Sequence, residues 1–344
     1  AKRFVNGNEC LPLIQNMQDF LDFLHQHQDD AEDGIVFFQG WACGPCRYGL
    51  YAPTQSLLIN KAGFGEGKIC SVKLDDVVKK YGLPFIVGVY DGLVAIDLLY
   101  KMLHTTRPYE LEEGISDRLF EKHSAKLMDA LENNTFRLAS FLAGQHLRPL
   151  KRCLEEAARE FAAVPRTGEK RPRILVGGEF YVRLDDRCNQ DVIRKIEAEG
   201  GEASLAPASE LFSYTNFINY HEAVAAHRDR KHWQSFIRKT SHGLMNSIAH
   251  REEKQLFSAT NGLLSGHEEP SPAQIMQHAS RYVSEHYGGE PPMTIGRAAA
   301  LGDRDGVAGI IFVAPFTCMP GSVVEAHVST LREELNLPIV SIYY

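Results

Sequence analysis

The N-terminal 90 residues alternate between amphipathic segments and short apolar runs. The apolar positions of 11–25 recur at helical spacing, which predicts an amphipathic helix. Three short apolar runs predict buried strands, and these are 34–40, 68–74 and 84–90. Because strands that alternate with helices favour a parallel sheet, we expect residues 1–90 to form a first α/β domain.

The pattern changes twice in the rest of the chain. Residues 91–165 are helical in pattern and charged, which predicts a helical connection, and 164–173 are rich in proline and charge, which is typical of a linker. A second α/β domain is predicted over 172–344, with a polar helical insertion at about 218–265. Its predicted strands are 173–178, 202–206, 307–315 and 338–344. The predicted fold class is therefore α/β, with two Rossmann- or flavodoxin-like parallel-sheet domains that carry helical insertions.

Composition narrows the possible partners. The chain has 344 residues, 44% of them hydrophobic, and a net charge of −7, which favours neither a nucleic acid nor an anionic membrane as partner. We find no uninterrupted apolar run of about 18 residues and no signal peptide, so we expect a cytoplasmic protein that does not enter a membrane. The sequence ends inside the predicted strand 338–344, which suggests a fragment of a longer protein.

The seven cysteines point to metal binding or redox chemistry, because a disulfide framework is not expected in the cytoplasm. Cys10, Cys43 and Cys318 share the local pattern Cys-x-Pro, and Cys46 lies three residues after Cys43. Cys43 and Cys318 each follow an apolar strand and precede a helix, which is where ligands bind in open α/β sheets. Helix N-termini there would stabilise thiolates. We therefore expect Cys10, Cys43, Cys46 and Cys318 to be ligands of one metal centre.

Two other interpretations of these cysteines remain open. Trp41 and the CGPC segment resemble a thioredoxin active site, which would make Cys43 and Cys46 a dithiol oxidoreductase pair. An extra residue, Ala42, separates the tryptophan from the first cysteine, and this interpretation leaves Cys10 and Cys318 unexplained. A non-catalytic zinc site with four cysteines is the third interpretation. Zinc prefers pairs of close cysteines, whereas iron–sulfur clusters accept thiolates from distant segments.

The sequence also predicts locations or roles for four further residues. Cys70 lies in a predicted strand and is expected to be a packed core thiol. Glu179 follows the strand 173–178, where it is a weak catalytic candidate that faces the crevice or else a polar residue at the start of a loop. Arg107 and Glu110 are expected to form a structural ion pair rather than to bind substrate.

Six segments give the chain a family resemblance. They are "GNECLPL" (7–13), "GPCRYGLY" (44–51), "RPYELEEGISD" (107–117), "GGEFYVRLDDRCN" (177–189), "IEAEGGE" (196–202) and "APFTCMPG" (314–321). They cover nearly the whole chain in family order. By these motifs the chain resembles the 2-hydroxyacyl-CoA dehydratase superfamily. It is most similar to the dehydratase-like C-terminal region of the large CoA-substrate-specific enzyme activases. The 2-hydroxyglutaryl-CoA dehydratase subunits and the double-cubane cluster proteins are more distant relatives.

The resemblance implies a cofactor, a partner and a place in anaerobic metabolism. It implies an oxygen-sensitive iron–sulfur cluster in the crevice between two α/β domains, [4Fe-4S] or a double-cubane cluster. By motif, its ligands would be Cys10, Cys43, Cys46 and Cys318. It also implies an ATP-dependent activase domain or protein that supplies a low-potential electron. An acyl-CoA substrate and a dimeric assembly are further implications.

The resemblance leaves the chemical role open between catalysis and electron transfer. An enzyme of this type would be an iron–sulfur dehydratase, which is a lyase, or a low-potential reductase. The sequence has no GxxxxGK[ST] loop, so we expect the ATPase to lie outside it. The second cysteine of the CGPC pair departs from the single cysteine expected in dehydratase subunits. Four cysteines would close the cluster and leave an electron relay.

Overall fold

The computed structural model describes most of the chain, and the secondary structure is mixed α/β with parallel strands. The described residues are 9–27, 34–41, 44–65, 68–72, 77, 80–133, 141, 144–230, 233–284, 286–304 and 306–344. The described strands are β1 (Phe37–Gly40), β2 (Ile69–Val72), β3 (Arg173–Gly178), β4 (Glu202–Leu205), β5 (Val307–Ala314) and β6 (Ile339–Tyr343). The described helices before β3 are α1 (Leu11–Gln26), α2 (Tyr51–Lys61), α3 (Leu83–Thr106), α4 (Ile115–Glu132) and α5 (Leu147–Ala162). Those after β3 are α6 (Phe180–Leu184), α7 (Asp186–Asn189), α8 (Val192–Ala198), α9 (Glu210–Arg230), α10 (Trp233–Ser258), α11 (Pro272–Ala279), α12 (Pro291–Gly302) and α13 (Met319–Leu335).

The four strands predicted after residue 172 form one parallel sheet in the order β4-β3-β5-β6. Helices α12 and α13 pack on one face, where Leu175 and Ile310 are buried against them. Helices α6 and α8 cover the other face, over Val176 and Val313. Burial on both faces explains why these strands read as continuous apolar runs in the sequence. The carboxyl ends of β3 and β5 lie side by side, because Gly178 pairs with Val313.

The N-terminal segment forms a smaller sheet in which β1 and β2 are parallel. Helices α1 and α2 pack together around Met17, Leu24 and Ile59, which are fully buried. The prediction of a strand at 84–90 is wrong, because these residues belong to helix α3. Apolar runs of this length do not distinguish a strand from a buried helix. The described strands of this segment therefore do not show a second Rossmann-like sheet.

Helices α3, α4, α5 and α10 pack on one another and form what we call the helical layer. Its core includes Leu99, Leu154 and Leu256, each fully buried. Among the described residues, one helical stretch, Leu83–Tyr109, is long and apolar enough by composition to cross a membrane, and 56% of its apolar window is buried. A core helix passes the same test, and packing within the helical layer accounts for this one.

The prediction that Arg107 and Glu110 pair with each other is wrong, because each contacts other groups. The Arg107 guanidinium contacts Glu197 at 2.7 Å and Asp117 at 2.9 Å. The Glu110 carboxylate instead accepts hydrogen bonds from the backbone N–H groups of Gly114 and Ser116. Arg107 therefore joins the start of α4 to helix α8, and Glu110 fixes the turn that precedes α4.

Candidate functional site

Three of the four predicted cysteine ligands lie at helix N-termini. Cys10 is the residue before α1, Cys46 precedes a 3₁₀ helix, and Cys318 precedes α13. The backbone N–H groups of Tyr48 and Gly321 donate to the sulfur atoms of Cys46 and Cys318, each at 3.4 Å. Helices α1 and α13 have proline in their first turn, where a backbone N–H has no helical partner. Two of the three Cys-x-Pro cysteines, Cys10 and Cys318, thus lie directly before a helix, and the sulfur of Cys318 caps its helix.

Cys10 is close enough to Cys46 and to Cys318 for an electrostatic effect between them. The charged form of Cys46 raises the pKa of Cys10, and that of Cys10 raises the pKa of Cys318. Arg47 Nη1 lies 3.5 Å from Thr317 Oγ1, which connects the loop of Cys46 to the loop of Cys318. We call these three cysteines the thiol site. The fourth predicted ligand, Cys43, lies outside the described residues.

Burial holds the thiol site in its protonated form when nothing else compensates the charge. Desolvation raises the pKa of Cys10 to about 11 and that of Cys318 to about 12. The pKa of Cys46 is also raised, first by desolvation, although its side chain is exposed. Thiolates here would need a bound cation or cluster to compensate their charge, because thiolate is the form that binds metal.

Two carboxyl groups lie against the thiol site. Glu179 lies at the end of β3, where its backbone N–H donates to Val313, and its carboxylate caps α6 by accepting from Val182 N–H at 2.8 Å. Glu290 precedes α12 and accepts from the Phe180 N–H at 3.3 Å. Burial raises the pKa of Glu179, and burial together with Glu179 raises that of Glu290 to about 8. Both carboxyls raise the pKa of Cys46 and of Cys318.

Sequence reasoning found Glu179 but missed Glu290. The only local signal for Glu290 is its position between two glycines and two prolines, which is typical of a helix start. A cavity of about 10 Å³ lies between the two carboxyls, Gly321 and Tyr343. That volume holds about one water molecule and no acyl-CoA.

The donor set of the thiol site suits a soft metal centre. Sulfur ligands from separate segments match the way proteins hold iron–sulfur clusters, and they also suit zinc. The N–H groups that point at Cys46 and Cys318 would stabilise the negative charge of either centre. The side chains of the thiol site therefore fit the cluster that the family resemblance implies.

The rim of the thiol site exposes large apolar side chains. Leu50, Phe316 and Met319 are 65%, 71% and 47% exposed, and each lies within four residues of Cys46 or Cys318. Arg47 lies between these two loops. Exposed apolar side chains grouped around a polar centre are typical of a protein-docking surface. We call Leu50, Phe316 and Met319 the apolar rim.

The exposure of the Cys70 side chain differs from the prediction. It lies on β2 as expected, but its side chain is exposed rather than packed in the core. Among the described strands β2 pairs with β1 alone, and none of its four residues is fully buried.

Comparisons with known proteins add no assignment. No family model matches the sequence, and neither the curated proteins nor the solved structures contain a match. The family resemblance therefore remains a prediction carried by its six motifs.

Proposed function

We propose that the chain is a cytoplasmic iron–sulfur electron-transfer module of the 2-hydroxyacyl-CoA dehydratase and activase type. Cys10, Cys43, Cys46 and Cys318 would be the ligands of one cluster of the [4Fe-4S] kind. The observation that carries the proposal is that the loops of Cys46 and Cys318, which come from distant parts of the chain, meet at the 3.5 Å contact of Arg47 with Thr317, and that Cys10 lies near both cysteines. When bound, the cluster would accept and donate one electron at a time.

The residues around the thiol site support an anionic centre. Backbone N–H groups already point at two of the three sulfur atoms, and Arg47 lowers the pKa of Cys10 and of Cys46. The raised pKa of Glu290 favours a neutral carboxyl at neutral pH, which adds no negative charge beside the cluster. Burial of Cys318 would keep water away from the centre.

An electron relay agrees with the surroundings better than a dehydratase active site. The cavity that the described residues form beside Glu179 and Glu290, at about 10 Å³, is too small for an acyl-CoA thioester. Four cysteine ligands would also leave no iron position open to substrate. Dithiol exchange is less well supported, because the pKa of Cys46 is raised and a thioredoxin mechanism has no use for Cys10 and Cys318.

The proposed partner is an ATP-hydrolysing activase that docks over the apolar rim. The rim surrounds the loops of Cys46 and Cys318, so docking there would bring the donor close to the cluster. Arg47 lies at the same place and would position an acidic group of the partner. Short distance is required because electron transfer between proteins falls steeply with separation.

The test mixes the anaerobic chain with the reduced activase from the same cell and follows the visible spectrum of its cluster. We expect bleaching with ATP and none without nucleotide. Phe316→Glu should slow bleaching at least several-fold, because it places a charge in the apolar rim. Phe236→Glu is the matched control, since Phe236 is 45% exposed but lies on helix α10.

Two results would contradict the proposal. Bleaching that is equally fast without ATP would show that no activation step is needed. Insulin reduction that survives the change of Cys10 and Cys318 to alanine would favour the dithiol oxidoreductase instead.

A further inference from the structure

A second group of ligand-type side chains lies in the helical layer, away from the cysteines. Asp91 is on α3, Glu252 is on α10, and His146 is the residue before α5. One ligand atom from each of the three lies within 4.8 Å of those of the other two. We call Asp91, His146 and Glu252 the carboxyl–imidazole group.

The spacing within the group suits ligands of a single ion. His146 Nε2 lies 3.1 Å from Glu252 Oε1 and 3.5 Å from Asp91 Oδ2. Two ligand atoms bound at about 2.1 Å to one ion lie roughly 3.0 to 3.5 Å apart at octahedral or tetrahedral angles. Only small side-chain shifts would therefore be needed to bind a metal ion.

The environment of the group requires compensation of its charge. Asp91, His146 and Glu252 are 0%, 2% and 1% exposed, and the helical layer around them is apolar, with Val94 and Leu256 in its core. Within the described part of the chain, neither oxygen of Asp91 has a hydrogen-bond partner, and Glu252 Oε2 has none. Two buried carboxylates whose one hydrogen bond comes from His146 to Glu252 are strongly unfavourable unless a proton or a cation is taken up.

We propose that Asp91, His146 and Glu252 form a binding site for one divalent cation, such as Mn²⁺, Fe²⁺ or Zn²⁺. One imidazole and two carboxylates are ligands that these ions accept. The ion would balance the two negative charges and connect α3, α5 and α10 at one point. Its role would be to stabilise the helical layer, which packs around it.

Manganese is the best probe because it binds carboxylate and imidazole and has little affinity for thiolate. The full chain is stripped with a chelator, titrated with Mn²⁺, and the free ion is counted by electron paramagnetic resonance. We expect one bound Mn²⁺ per chain and a higher unfolding temperature in its presence. Asp91→Asn and Glu252→Gln should each weaken binding by about 10- to 100-fold or more.

A control variant locates the effect. Glu253→Gln removes the neighbouring half-buried carboxyl on α10 and should bind Mn²⁺ as the unchanged chain does. The site is wrong if Asp91→Asn and Glu252→Gln bind Mn²⁺ as tightly as the unchanged chain. A second contradicting result needs only the unchanged chain. The proposed site is wrong if this chain leaves all Mn²⁺ free and its unfolding temperature does not change on addition of Mn²⁺. In that case a proton shared by the two carboxyls accounts for their burial.

Discussion

The thiol site and the carboxyl–imidazole group are two sets of ligand atoms built in opposite ways, the first exposed at Cys46 and the second buried throughout. The thiol site uses loop residues at helix N-termini beside the carboxyl ends of β3 and β5. The carboxyl–imidazole group uses side chains from helices that cross inside an apolar layer. Sulfur suits soft centres that carry electrons, whereas oxygen and imidazole suit a single hard or borderline ion. We propose that the first region serves electron transfer and the second stabilises the fold.

The largest expected effect is the loss of iron when a cysteine of the thiol site is replaced. Cys318→Ser should remove most of the iron from the anaerobic chain, because a cluster that loses a ligand is poorly held. Cys153→Ser is the matched control, since Cys153 is a partly buried thiol on α5. Iron analysis after gel filtration measures both. Equal iron in the two variants would break the comparison, because it would place the cluster elsewhere.

The next effect is on stability within the helical layer. Leu154→Ala leaves a cavity at a fully buried position and should cost about 2 to 5 kcal/mol of unfolding free energy. The iron content per folded chain should stay the same, because Leu154 lies in the core of the helical layer and not at the thiol site. Denaturant unfolding and iron analysis together measure this. Loss of iron in step with stability would show that the two regions are not separable.

The smallest effect is an opposite response of the two regions to pH in the metal-free chain. Burial and Glu179 raise the pKa of Glu290 to about 8, so its stabilising contribution is complete below pH 4.5 and is lost as pH rises through 8. Burial lowers the pKa of His104, on α3, to about 3, so its contribution is complete above pH 6.5 and is lost as pH falls towards 3. Each slope is at most about 1.4 kcal/mol per pH unit.

Paired variants measure these slopes. Glu290→Gln should flatten the alkaline side of the plot of unfolding free energy against pH, and His104→Gln should flatten the acid side. If both variants show the same dependence of unfolding free energy on pH as the unchanged chain, the fold holds neither the Glu290 carboxyl nor the His104 imidazole in its neutral form.

The parts that sequence predicted are those with a local pattern. The strands at 173–178 and 307–315 were found because burial on both faces leaves continuous apolar runs, and the structure confirms them as β3 and β5. Cys10, Cys43 and Cys318 were singled out by the Cys-x-Pro pattern, and Cys46 by its spacing from Cys43. Glu179 was singled out because it directly follows a predicted strand, and the roles of all five residues stay predictions.

The parts that sequence missed depend on long-range packing. The run at 84–90 is helical because it continues into the long buried helix α3, which a short window does not reveal. His146 and Glu252 are 106 positions apart and share no motif with Asp91. Only the crossing of α3 and α10 brings these side chains together, so the carboxyl–imidazole group has no sequence signature.

The most direct test of the proposed electron-transfer role is the metal content of the chain purified without oxygen. Iron and acid-labile sulfide are measured per chain, together with the visible spectrum. We expect about four iron and four sulfide per chain for one [4Fe-4S] cluster, with a broad absorption that reduction bleaches. Stoichiometric zinc at the cysteines without acid-labile sulfide would contradict it and would favour the zinc-binding interpretation.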